Sequence, residues 1–254
     1  MKKFNVVILA LFLFCLFASP LMAQEKDNYF RLAEILEKSN RFYTSVSNYR
    51  AIFYKQERSE GKLQETEKIF LKFEKPFKIF MDWLNTEKKD LQVVYERGKH
   101  RGKLAIHKPG LGLGLFPVVF LDQNSPWVKR GSESYDIEDA GIGTFLADFS
   151  KAVSKARNDH QLKVNFIESS PAGEGDTAEV IFDGPKKDPA YFAHRVIVSF
   201  DSRTKLPVKM SLFDWDNQPT GIYSYENLQV NLASEDVEFK QQINRQLYRV
   251  YQGK

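Results

Sequence analysis

From Tyr49 to His107 the chain alternates apolar and polar residues through consecutive short segments: Tyr49–Arg58, Glu67–Phe73, Phe77–Leu84, Leu91–Arg97 and Lys103–His107. The breaks between them carry turn chemistry, at Glu60-Gly61-Lys62, Lys75-Pro76, Asn85–Lys89 and Gly98–Gly102. In the first segment Tyr49, Ala51, Phe53, Lys55 and Glu57 share one side, and Arg50, Ile52, Tyr54, Gln56 and Arg58 the other. In the second, Ile69, Leu71 and Phe73 oppose Lys68, Phe70 and Lys72; in the third, Phe77, Ile79, Met81 and Trp83 oppose Lys78, Phe80, Asp82 and Leu84. A period of two with one apolar face is the pattern of a half-solvated antiparallel sheet. A meander this long makes a wide, curved sheet. Its apolar face must be covered, by the chain's own helices or by a ligand.

Two helices are expected. Over Asp27–Val46, Tyr29, Leu32, Ala33, Leu36, Tyr43 and Val46 fall on one face, with Asp27 as N-cap and Ser47-Asn48 as the end. Over Thr144–Arg157, with Thr144 as N-cap, the apolar face is Phe145, Leu146, Phe149, Ala152, Val153 and Ala156. Strands resume at Leu162–Glu168, Thr177–Phe182, Tyr191–Asp201, Leu206–Phe213 and Gly221–Leu228, and Tyr248-Arg249-Val250-Tyr251 is read as a last edge strand. Residues 108–143 read as irregular. Glycine alternates in Gly110-Leu111-Gly112-Leu113-Gly114, and Phe116–Leu121 adds an apolar plug, so a mobile lid is expected there. The fold class is therefore α+β: a strongly curved antiparallel sheet of about ten strands, forming an unclosed β-barrel covered by two or three α-helices.

Residues 1–23 have the form of a signal peptide. Lys2 and Lys3 precede the uncharged run Val6–Phe17, and Ser19, Pro20 and Ala23 supply a processing site after Ala23. That run is short of the roughly 20 residues a bilayer span takes. The expectation is a periplasmic protein of a Gram-negative envelope, with residues 24–254 as a single domain. Cys15 is the only cysteine and lies in the leader, which excludes disulfides, a thiol nucleophile and thiolate metal ligands from the rest. Without Lys2 and Lys3, 35 basic residues face 33 acidic ones. They are interspersed, and no basic stripe with interleaved aromatics occurs, so nucleic acid is not an expected partner.

Particular residues carry a resemblance. Asn48-Tyr49-Arg50-Ala51-Ile52-Phe53-Tyr54-Lys55-Gln56, a glycine turn, Ile69-Phe70-Leu71-Lys72-Phe73-Glu74-Lys75-Pro76-Phe77 and an aromatic third strand bearing Trp83 resemble, in that order, the periplasmic outer-membrane lipoprotein carriers of the LolA/LolB-like superfamily. The wider pattern Lys55-Gln56-Glu57-Arg58, Lys75-Pro76-Phe77, Trp83, Glu96-Arg97-Gly98-Lys99 and Gly102-Lys103-Leu104 is more similar still to an uncharacterised family of secreted bacterial proteins in that superfamily. Asp236-Val237-Glu238-Phe239 with Tyr248 resembles the family's closing segment. The resemblance is specific over residues 48–107; beyond them it is an order of elements. It implies an unclosed barrel with helices over an apolar cavity that holds acyl chains. It also implies a lid-and-release role for the residue before the proline, an arginine in the carriers and Lys75 here. Lysine is a point charge without the planar fork, so an arginine-specific arrangement does not transfer intact.

The residues expected to line the cavity are Phe53, Ile69, Leu71, Ile79, Met81 and Trp83. An acyl chain costs about 0.8 kcal/mol per methylene to leave in water, so only a continuous apolar surface shelters one. No catalytic constellation emerges. His100, His107 and Glu96 have no metal-ligand spacing, His160 follows a helix end, and His194 stands alone in a strand. Asp201, Asp214 and Asp216 read as turn caps, Ser132-Glu133-Ser134 lacks a partner histidine, and Trp127 and Trp215 read as packing residues. The expected function is non-enzymatic: a periplasmic carrier of a hydrophobic ligand, with no cofactor and no metal. Its expected partners are a lipid or lipoprotein and an envelope membrane protein, and the chain is expected as a monomer. The alternative is an envelope structural or protein-interaction module whose core is filled by its own side chains.

Overall fold

The computed structural model describes residues 27–110, 118–125, 137–168, 175–186, 188–233 and 237–253. The expected leader, Trp127, Ser132–Ser134 and half of the expected 108–143 lid lie outside them.

Helix α1 spans residues 27–45. The strands are β1 Asn48–Ser59, β2 Lys62–Leu63, β3 Glu67–Glu74, β4 Lys78–Trp83, β5 Gln92–Glu96, β6 Leu104–His107, β7 Val119–Leu121, β8 Leu162–Ile167, β9 Thr177–Phe182, β10 Arg195–Phe200, β11 Pro207–Phe213 and β12 Pro219–Val230. Between β7 and β8 lies helix α2, Ile142–Asn158; after β12 come α3, Val237–Gln242, and α4, Arg245–Tyr251. All pairings are antiparallel, in the order β7-β6-β5-β4-β3-β1-β12-β11-β10-β9-β8, with β2 appended to β1. The two ends, β7 and β8, do not pair, so the barrel is unclosed.

The inner face is the apolar one. Tyr49, Ala51 and Phe53 of β1, Ile69, Leu71 and Phe73 of β3, and Ile79, Met81 and Trp83 of β4 join side chains from β5, β6 and β8–β12 in one buried cluster. Leu32, Ile35 and Leu36 of α1 and Leu146, Phe149 and Val153 of α2 complete it. The amphipathic helices thus bury their apolar faces inside the sheet's curve. Helix α1 also shields the exposed edge at β8: Asn28 Nδ2 donates to the Val164 carbonyl at 2.9 Å, and the Arg31 guanidinium lies 4.0 Å from the Phe166 ring.

The outer face is covered too. Phe70, Phe80, Val94 and Ala105 pack against Ile243, Leu247 and Tyr251. This corrects the reading of Tyr248–Tyr251 as an edge strand: the segment is helical. Asn244 caps α4, its Oδ1 accepting from Gln246 N at 2.9 Å and Leu247 N at 3.3 Å, and Leu247 and Tyr251, four apart, share the buried face. Residues 119–121, expected within an irregular plug, form a short strand because β6 offers them a free edge. Helix α2 begins at Ile142, and Thr144 is not its N-cap; Thr144 Oγ1 instead donates to the Glu138 carbonyl at 3.1 Å.

Gln92, 7% exposed, pins the corner between α3 and α4 to β5. Its Nε2 donates to the Gln242 carbonyl at 2.8 Å, and its Oε1 accepts from Asn244 N at 2.9 Å. Gln92→Ala removes both bonds and leaves a buried carbonyl and amide without these partners. It is expected to lower unfolding free energy by about 1–3 kcal/mol in urea titration. An unchanged midpoint would show that the corner is held by its apolar contacts alone.

Candidate functional site

The six residues expected to line a cavity do share one surface. The pairings Phe53 with Ile69, Ile69 with Trp83, Leu71 with Met81 and Phe73 with Ile79 set them side by side on the inner face of β1, β3 and β4. Phe53 extends this surface across β12, its ring centroid 4.8 Å from that of Tyr225. Ile69, Leu71 and Ile79 are 0% exposed, Phe53 4%, Met81 7% and Trp83 9%. In this state the surface is therefore covered by the chain's own side chains.

The cover is fastened at one end by a set of contacts around α2's first turn. The opening N–H groups of a helix have no partner within it, and Gly141 before α2 offers no capping side chain. Tyrosines from two other elements fill that role. The buried Tyr49 of β1 accepts from Ile142 N at 3.2 Å, and Tyr43 near the end of α1 accepts from Gly143 N. Burial pushes both phenols above their ordinary range, so they stay neutral. Glycine is needed at both neighbouring positions. Gly141 has φ +131°, and a Cβ on Gly143 would strike the Tyr43 ring.

Lys75 completes the fastening. Its Nζ donates to the Tyr43 carbonyl at 2.6 Å and lies 4.3 Å from the Tyr43 ring centroid; a longer contact, 3.4 Å, reaches the Thr44 carbonyl. These carbonyls belong to α1's last turn, where a cation is favourable. Partial desolvation holds the Lys75 ammonium below its usual range. The residue singled out before Pro76 thus joins the β3–β4 turn to the last turn of α1. Tyr43 and Tyr49 were read only as apolar-face and strand residues. Nothing local marked them as caps, because their partners lie about a hundred positions away.

At its other end the inner face turns charged. Continuing β1 beyond Phe53, Lys55 Nζ lies 3.0 Å from Glu57 and 3.8 Å from Glu67, and Lys88 Nζ lies 2.5 Å from Glu67. Trp83 Nε1 donates to Glu67 Oε2 at 2.8 Å, and the Tyr223 hydroxyl donates to Glu57 Oε1 at 3.0 Å. An apolar floor thus ends in a polar wall, with Trp83 spanning the boundary.

The remaining singled-out residues have local roles. Asp201 Oδ1 accepts from Arg203 N and Thr204 N, and Asp214 Oδ1 from Asp216 N and Gln218 N, so both cap turns. Trp215 Nε1 donates to the Gly184 carbonyl at 3.0 Å, and His100 packs on Phe120. Among the described residues no cluster of His, Cys, Asp and Glu is arranged to hold a metal ion. No helix among them is long and apolar enough to cross a membrane.

Residues 46–248 match the model of a family described as "Protein of unknown function (DUF1571)". The chain belongs to that family. No curated protein matches it. Solved structures similar to it include a putative outer membrane lipoprotein-sorting protein domain from Vibrio parahaemolyticus, at 12% identity over 81% of this chain and 96% of that one, TM-score 0.37. A LolA superfamily protein from Nitrosomonas europaea is 9% identical over 79% and 94%, TM-score 0.34. The Mycobacterium tuberculosis lipoprotein LppX is 8% identical over 81% and 98%, TM-score 0.44.

Glu67 gives the charged wall a measurable signature. Burial pushes its carboxyl up, but the Lys55 and Lys88 ammoniums, with hydrogen bonds from Lys88 and Trp83, outweigh burial and hold it below the usual range. Its stabilising contribution is complete above the unfolded value of about 4.3 and is lost as pH falls through the lower folded value. Glu67→Gln is expected to lower Tm at pH 7 and to lose less further Tm than wild type between pH 5 and 3. Parallel Tm–pH curves would show that Glu67 is not differentially ionised.

Proposed function

We propose that this chain is a non-enzymatic carrier or binding protein of the Gram-negative periplasm. It is exported by residues 1–23 and works as a single domain over residues 24–254. Its ligand is hydrophobic: a lipid, the acyl chains of a lipoprotein, or another acylated molecule, passed to or from an envelope membrane protein by a monomer. The observation that carries this reading is the continuous inner surface of Phe53, Ile69, Leu71, Ile79, Met81 and Trp83, which lies beneath α1 and α2.

On this reading α1 and α2 are the cover, and an acyl chain reaches the surface when they lift. Lys75 acts as the release point, because its side chain ties the β3–β4 turn to the carbonyls of the last turn of α1. It is solvent-exposed, so each of these bonds is weak and readily exchanged. The polar wall at Lys55, Glu57, Glu67 and Lys88 sets the orientation: tail toward Phe53 and Leu71, polar head toward the charges.

A second reading is favoured by one observation. Ile69, Leu71 and Ile79 have no exposed surface at all, as in an ordinary core. A protein-interaction module with a permanently filled bowl has the same appearance.

The two readings separate by experiment. Protein purified from its native envelope, extracted with organic solvent and analysed by mass spectrometry, is expected to release stoichiometric lipid. The delipidated protein is expected to take up a fluorescent fatty acid, and Lys75→Met to do so a few-fold faster with unchanged circular dichroism. Clean protein, with no uptake by either variant, would falsify the carrier reading and leave the interaction module.

A further inference from the structure

The hairpin turn between β5 and β6 stands at the same end of the sheet as the Lys75-Pro76 turn. Lys78, at the start of β4, pairs with Glu96, and Arg97 N donates to the Phe77 carbonyl at 2.9 Å. The turn reads Arg97-Gly98-Lys99-His100-Arg101-Gly102-Lys103, four strong bases and no acid. It is a defined knuckle. Lys99 N donates to the Glu96 carbonyl at 3.1 Å, Gly102 N to the Lys99 carbonyl at 2.9 Å, and Lys103 N to the His100 carbonyl at 3.2 Å. Its φ angles are positive at Gly98, His100, Arg101 and Gly102: +80°, +50°, +56° and +72°. Glycine takes such a conformation freely, yet at Arg101 the chain places a cation.

Arg97 is committed to the fold: its guanidinium pairs with Glu138 at 2.7 Å and lies 4.9 Å from the Phe77 ring centroid. Lys99, Arg101 and Lys103 are exposed, and none of them ion-pairs with a described residue. The carboxylates nearby are engaged elsewhere or few. Glu138 also accepts from the Tyr95 hydroxyl, and Glu96 faces Lys78 at 4.0 Å. Setting Asp122 and Asp139 against Lys99, Arg101 and Lys103 still leaves this end positive. Residues 126–136, which join Ser125 to Ile137, carry two bases and two acids and so add no net charge. Beside the knuckle, Phe120 of β7 is 41% exposed, its ring centroid 5.0 Å from that of His100. An apolar ring beside long cationic side chains is how peripheral proteins meet a membrane: the ring enters the boundary between headgroups and acyl chains, and the bases meet phosphates.

We propose that this turn docks the chain on an anionic phospholipid surface, with Lys99, Arg101 and Lys103 among the headgroups and Phe120 at the boundary. Residues 97–101 are exposed one after another, so the turn stands out from the end of the sheet. Such a shape suits a flat, diffuse field of negative charge rather than a single enclosed anion. The inference goes beyond the carrier reading and does not need it, since a chain that carries nothing docks in the same way. Where that reading holds, docking sets the end of the sheet that bears Lys75 toward the membrane with which acyl chains are exchanged.

Protein purified from its native envelope is floated with vesicles of phosphatidylglycerol in phosphatidylcholine and, separately, of phosphatidylcholine alone. Arg101→Gly removes one cation and supplies the residue that φ +56° favours, so its Tm is expected not to fall. Adding Lys99→Gln removes a second exposed cation. The expected result is flotation with the anionic vesicles only, weakened about fivefold by Arg101→Gly and about twenty-fivefold by the pair, and lost in high salt. The proposal is overturned if wild type does not float with anionic vesicles, floats equally with phosphatidylcholine, or floats as well with both substitutions as without them. Binding of polyglutamate without flotation would assign the turn to an acidic protein and overturn it as well. Neither substituted residue lines the acyl surface, so fatty-acid uptake reports separately on the carrier reading.

Discussion

A wide antiparallel sheet has two faces, and neither can be left to water when both carry aromatic side chains. That requirement organises this molecule. The inner face, rich in Tyr49, Phe53, Phe73 and Phe77, receives α1 and α2; the outer face, with Phe70 and Phe80 at its centre, receives α3 and α4. The two solutions differ in kind. The outer pair is short and is fixed by the paired amide of Gln92. The inner pair is long, and its polar contacts are spread along it: Tyr43 and Tyr49 at the first turn of α2, Asn40 Nδ2 donating to Ser150 Oγ at 3.2 Å in the middle, and Asn28 and Arg31 against β8 and Asp176 at the far end of α1.

The first turn of α2 also explains a combination of residues that looks arbitrary in the sequence. A phenol is an unusual helix cap, since a serine or aspartate normally supplies the acceptor from within the segment. Here the chain entering α2 passes so close to Tyr43 that no side chain fits at Gly143, and Gly141 is held at φ +131°, which favours glycine. The acceptors must therefore come from neighbouring elements. The cap is then part of the tertiary structure: α2 keeps its first turn satisfied only while docked against β1 and α1. Undocking exposes unpaired amides to water, which satisfies them, so opening toward solvent is cheaper than sliding within the core.

Strand positions were legible because period two with one apolar face has few other solutions, and β1, β3, β4, β5 and β6 fall within a residue or two of their expected limits. The shared surface of Phe53, Ile69, Leu71, Ile79, Met81 and Trp83 followed from the same alternation. The misreadings arose where that signal is ambiguous. Tyr248-Arg249-Val250-Tyr251 alternates like a strand, yet Leu247 and Tyr251 also stand four apart, and only the Asn244 cap decides between the two. Thr144 looked like a cap because the real ones come from other elements.

The balance between a closed and an open cover turns on unlike magnitudes. Exposed polar ties such as Lys75 to the α1 carbonyls, or Arg31 to Asp176 with more than half of the arginine side chain in water, contribute on the order of 0–1 kcal/mol each. Burial of Leu32, Ile35 and Leu36 against the sheet contributes about 1.5–3 kcal/mol per side chain, roughly 5–9 kcal/mol for α1. The apolar burial therefore outweighs the exposed polar ties several-fold, so packing and not the ties holds the helices on the sheet. Buried Ser39 on α1 fits this picture. Its hydroxyl finds no partner among the described residues, a small penalty carried by the closed state that lifting the helix into water removes.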